Sequence, residues 1–186
     1  MIGTTVLLVA RFMAHATFGV NAQTQSLPRY AFTLPGDALV QLDAPPTVAI
    51  YNDVEHKDIT FDGGFTPPEY PAILVFRESR ELESGAKAEN ARAPEPKAVG
   101  LIIAYVTNDK ADQLTAQRNA EALLRGAERS LRRYKSQASS EGYRSMNGIQ
   151  VMDVTRWKRI EETAALDVTK FWGWLEVELK VVDSVP

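Results

Sequence analysis

Asp53, Glu55, His56, Asp58 and Asp62 place four carboxylates and one imidazole in a single short stretch. Oxygen ligands with one imidazole suit a divalent cation, and paired carboxylates suit general acid–base work. The spacing does not fit an EF-hand loop, which needs glycine at its sixth position and glutamate at its twelfth. No glycine-rich phosphate loop, paired-histidine helix motif or nucleophile elbow accompanies the cluster. A solvated acidic loop is therefore the expected role, with a small metal-dependent hydrolase as the enzymatic alternative. The other histidine, His15, falls in an apolar N-terminal segment, where a packed, hydrogen-bonded ring is expected.

Arg125, Arg129, Arg132, Arg133 and Lys135 stand against Glu128 alone, a local charge of five minus one, or +4. Basic residues near a helix C-terminus are favoured by the helix dipole, which explains much of this run. The same patch could meet an acidic partner surface or DNA. Trp157, Trp172 and Trp174 are the remaining large side chains with recognition potential. In an alternating strand, Trp172 and Trp174 share their face with Glu176, Glu178 and Lys180, not with the Leu175, Val177, Leu179 and Val181 stripe. Either a bulge near Gly173 turns them inward or a neighbouring subunit covers them. Coverage is the favoured expectation, because aromatic anchors flanked by charge are common interface anatomy. Trp172, Trp174, Arg125, Arg129 and Arg132 are accordingly the candidate protein-interface residues.

The 186 residues fit one domain, 1–186, and the 45% hydrophobic content is ample for a core. Cysteine is absent, which excludes disulfides, cysteine-based zinc sites and thiol nucleophiles. With 21 basic and 24 acidic residues the formal net charge is −3, so the chain lacks the basic excess of a stand-alone nucleic-acid binder. Ile2 to Val9 resembles a signal-peptide core, but no Lys or Arg precedes it and Arg11 interrupts it. The run is also short of the ~20 residues a bilayer requires. A soluble, unprocessed chain with no membrane contact is expected.

The elements that must hold these residues follow from periodicity. Ile2, Val6, Val9, Met13, Ala16 and Val20 recur at three- and four-residue steps, predicting an amphipathic helix whose ends are bounded by Gly19 and Pro28. Thr47 to Tyr51 and Ala72 to Phe76 read as strands, the second entered through Tyr70-Pro71. Arg77 to Lys97 balances five basic against five acidic residues and has no apolar side chain larger than Ala after Leu82, so a flexible charged loop is expected over about 79–98. Val99 to Thr107 is apolar on both faces, which places it mid-sheet. Asn108-Asp109 offers a helix N-cap. Ala116, Ala120, Leu123, Ala127, Leu131 and Tyr134 then form a helical stripe, with Glu121–Arg125 and Glu128–Arg132 at i,i+4. Ser136 to Asn147 is polar, Asn147-Gly148 marks a turn, and Ile149 to Ile160 and Phe171 to Val182 close the chain as strands. The order predicts an α+β fold: a largely antiparallel mixed sheet of about five strands packed against two main helices.

This layout resembles that of bacteriophage tail terminator (tail-completion) proteins. The resemblance spans nearly the whole chain. It rests on the amphipathic N-terminal helix, the Tyr51-Asn52-Asp53-Val54 strand end and Tyr70-Pro71 entering an apolar strand. The charged loop, the Val99–Thr107 strand, the helix to Tyr134 and the two closing strands complete it. The segment 28–46 and the loop 79–97 are longer than a compact member needs.

The resemblance implies a non-enzymatic structural virion protein without catalytic, cofactor-binding or metal-binding residues. It would form a homo-oligomeric ring, typically a hexamer, at the head-proximal end of the tail, after assembly in the host cytoplasm. One ring face would cap the tail-tube protein and the other would join the head connector or neck protein, with DNA passing through the lumen. A neck or head-completion subunit has a similar size and style. A DNA-binding module built on the arginine patch is the remaining rival.

Overall fold

The computed structural model describes residues 2–26, 47–60, 65–78, 97–108, 113–167 and 170–183, with backbone alone at 106–108, 113–117, 159–167 and 170–171. Nine elements follow in order: α1 (Ile2–Met13), α2 (Val20–Gln25), β1 (Ala49–Asn52), β2 (Ala72–Arg77), β3 (Lys97–Asn108), α3 (Gln113–Gln137), β4 (Ser145–Met146), β5 (Ile149–Asp167) and β6 (Lys170–Asp183). The fold is α+β, with a six-stranded mixed sheet in the order β1-β2-β3-β6-β5-β4. Only β1 and β2 pair in parallel; every other neighbour is antiparallel.

Two cores lie on opposite faces of this sheet. Ile73, Val75, Leu101, Ile103, Leu175, Val177, Leu179 and Val181 face the helices and pack with Val6, Val9, Phe12 and Met13 of α1 and Leu123, Leu124, Leu131 and Tyr134 of α3. Burying each such aliphatic side chain contributes about 1.5–3 kcal/mol, so this layer dominates stability. The alternate residues Ala72, Leu74, Phe76, Ile102 and Ala104 form a second cluster on the other face with Ile59. From Leu101 to Tyr105, β3 is buried on both faces, against the helix-facing core on one side and in the second cluster on the other, as its two-sided apolar pattern requires.

Several elements depart from the expected bounds. The N-terminal stripe breaks after Met13, and α2 resumes it at Val20; Ile2 and Ala16 are exposed whereas Val6, Val9, Met13 and Val20 are buried. The break is stabilised by His15, whose Nδ1 accepts hydrogen bonds from the backbone N–H groups of Thr17 (3.1 Å) and Phe18 (3.2 Å). His15 is thus the structural ring expected of it, stacked on Phe12 and Phe18 and 3.5 Å through Nε2 from Glu141. β3 begins at Lys97, so the last two positions of the expected loop belong to a strand; the rest of that loop and the Asp109 cap lie outside the described residues.

α3 runs on to Gln137, and the polar stretch beyond it contains the sixth strand, β4. β4 turns into β5 through Asn147 and Gly148, both at positive φ (51° and 76°), with Met146 and Ile149 paired across the turn. Asn-Gly favours that two-residue hairpin because both positions need left-handed backbone.

β6 pairs with β3 without interruption from Lys170 to Val181. Its pairing with β5 shifts register four times, and the extra residues all lie on β5, which uses 19 residues beside the 14 of β6. β6 therefore acts as the straight rail of the sheet and β5 as the bulged strand beside it.

Candidate interaction surfaces

The unbroken β3–β6 register removes the bulge at Gly173 from consideration. Gly173 lies opposite Tyr105 on the helix face, and a Cβ there would sit 2.7 Å from Tyr105 Cε1 and nearer still to its hydroxyl. The glycine makes room for the tyrosine ring, a cross-strand pairing in which an aromatic side chain covers a bare backbone. Trp172 and Trp174 consequently stay on the opposite face.

On that face Tyr51, Leu74, Ala104 and Trp174 form one row across β1, β2, β3 and β6. The small Ala104 between Leu74 and Trp174 leaves space for the indole. Trp172 and Trp174 lie against each other with centroids 5.9 Å apart, and both pack on the second apolar cluster while remaining half-buried. Their own chain thus covers part of them without a bulge, an arrangement that neither alternative, the bulge or the covering neighbour, had provided for.

Tyr51, His56 and Phe65 continue the aromatic surface, with centroids 5.3–5.6 Å apart. Residues 65 and 70 were not singled out from sequence as part of this layer; the apolar identity of both faces of β2 was the available signal. Further along β6 the face turns polar. Glu176 lies opposite Lys158, and Glu178 accepts from Arg156 at 3.3 Å and from Thr155 at 2.7 Å.

Arg125, Arg129 and Arg132 are exposed along the outer side of α3, whose inner side packs on the helix-facing core. Arg132 stands 6.0 Å above the Trp157 ring, a cation–π geometry. The five candidate interface residues thus fall on two separate surfaces: two tryptophans on one side of the sheet and three arginines on the back of the helix that covers the other.

The acidic cluster disperses. Asp53, with 5% of its side chain exposed, accepts from the Arg77 backbone N–H at 3.1 Å and from Arg77 Nε at 2.9 Å. Glu55 instead accepts from Asn52 Nδ2 at 2.6 Å and His56 joins the aromatic set, while Asp58 is exposed and Asp62 lies outside the described residues. Among the described residues, no group of three or more His, Asp or Glu side chains is placed to hold a metal. None of their helices is long and apolar enough to cross a membrane. No protein-family model matches the chain, and no curated protein matches it.

Proposed function

We propose that this chain is a structural assembly subunit of the phage tail-terminator type, forming a closed hexameric ring that caps a tail tube and joins it to the head connector. The supporting observation is the second sheet face. An ordinary α+β layer hides one face of its sheet under helices and leaves the other polar. Here the other face carries a second buried apolar cluster, and two half-buried tryptophans lie at its margin with paired charges beyond. Aromatic side chains left partly accessible beside charged residues are a composition that protein–protein interfaces favour. The described elements follow the order on which the resemblance rests, with α2 and β4 in addition.

Trp174 is the residue on which the reading is tested. Light scattering across a concentration series measures assembly, and thermal unfolding of the dilute subunit measures folding. Trp174→Ala is expected to weaken assembly far more than it lowers the melting temperature. Equal losses would put the indole in the core and remove the interface role.

A further inference from the structure

We propose that the cleft between the N-terminal end of α1 and the β1–β2 edge binds a carboxylate carried on an apolar body. This site does not depend on the assembly reading. The cleft encloses 530 Å3, and its walls include Val54, Ile59 and Phe76 together with Asp53, Lys57 and Arg77. Three apolar side chains and two cations thus meet around one buried acid.

Asp53 does not oppose an incoming anion as an exposed carboxylate would. Its Oδ2 is committed to the N–H and Nε–H of Arg77, and its Oδ1 is buried with no hydrogen-bond partner among the described residues. The effect is to hold Arg77 by Nε alone. The Arg77 side chain is 58% exposed, and its two Nη groups make no hydrogen bond among the described residues. A guanidinium fixed at one edge presents its other edge as a ready donor pair, the geometry that suits carboxylate oxygens. Lys57 adds an exposed ammonium to the same cleft, with no ion pair among the described residues. The apolar walls select a ligand whose body can leave water, so a small hydrated anion would use only half of the site.

Two sources supply that chemistry, a free aryl or alkyl carboxylate and the C-terminal residue of a peptide. Amide resonances of the full-length protein, followed by 15N–1H correlation, are titrated with phenylacetate and with its neutral amide, phenylacetamide. Phenylacetate is expected to shift residues 53–59 and 76–77 saturably, and the amide to shift them weakly at the same concentration. Lys57→Ala, at an exposed position where folding is retained, raises the phenylacetate Kd about threefold or more. Arg77→Lys keeps the charge, loses the planar fork and also weakens binding. A short peptide ending in a free phenylalanine carboxylate, compared with its C-terminal amide, identifies the source. Tighter binding of the free acid than of phenylacetate assigns a chain end, and weaker binding assigns a small carboxylate. Equal shifts by phenylacetate and phenylacetamide, unsaturable shifts, or an unchanged Kd in Lys57→Ala would overturn the proposal.

Discussion

Gly173→Ala is the sharpest test of the packing at the centre of the sheet. The added methyl would lie 2.7 Å from Tyr105 Cε1, well inside van der Waals contact, and Tyr105 is itself only 4% exposed. The ring must move, yet the surrounding core leaves it little room. Overpacking of this kind costs about 1–3 kcal/mol. Alanine offsets about 0.5–1 kcal/mol of that by restricting the unfolded backbone and suiting a strand better than glycine. A net loss of about 1–2 kcal/mol is expected. Tyr105→Leu removes the outer ring atoms, and in that background Gly173→Ala becomes neutral or mildly stabilising. Urea unfolding of the wild type, both single variants and the double variant gives the cycle, with a coupling energy of roughly 1.5–3 kcal/mol. The reasoning fails if alanine stabilises the wild-type background, or if its cost is the same with tyrosine and with leucine at 105.

Three other perturbations have definite outcomes. His15→Ala removes the acceptor for two backbone N–H groups and should cost about 1–3 kcal/mol in urea unfolding, whereas His15→Asn places Oδ1 where Nδ1 was and should recover a substantial part. Tyr134→Phe deletes the 2.9 Å hydrogen bond to the Tyr143 carbonyl and should lower stability by about 1–2 kcal/mol. Burial raises the Tyr134 phenol well above its ordinary value, with the positive charge of Arg144 opposing the rise. The unfolded chain therefore ionises first. This tyrosine's contribution is intact below about pH 10 and declines by about 1.4 kcal/mol per pH unit above it. Denaturation curves should show that alkaline decline reduced in Tyr134→Phe.

Side-chain periodicity carried most of the fold. The stripe Leu175, Val177, Leu179 and Val181 and the helical series Ala120, Leu123, Ala127, Leu131 and Tyr134 are all buried where alternation and helical spacing put them. The two-sided apolar pattern of Val99 to Tyr105 located the middle of the sheet. What escaped were features set by single contacts. The break after Met13 depends on a histidine nitrogen serving as a turn acceptor, which has no periodic signature. β4 is two residues long and rests on a turn, not on alternation.

The candidate surfaces were legible to a lesser extent. Strand parity put Trp172 and Trp174 on the face opposite the aliphatic stripe, and the structure has them there. Their partial cover comes from each other and from the apolar cluster built by β2 and β3, distant in sequence, so no local pattern could announce it. Asp53 looked like a solvated loop acid because its partner, Arg77, is 24 residues away. Gly173 left a bulge open as the less favoured alternative because a glycine in a strand has two uses, a bend or a space, and only the ring opposite distinguishes them.

The bulges of β5 have a bearing on solubility. β4 pairs with β5 at Ile149 and Gln150, so among the described residues β5 forms a lateral margin of the sheet beyond this short strand. A long, straight margin would offer a regular ladder of free N–H and C=O groups to any other extended chain, the first step towards fibrils. The irregular spacing along β5 disrupts that ladder, and Arg156 and Lys158 add charge beside it. Crowded copies of this protein are thereby hindered from pairing backbone to backbone along this margin. Deleting the extra residues that create the bulges would straighten this strand and turn a protected margin into a template for aggregation.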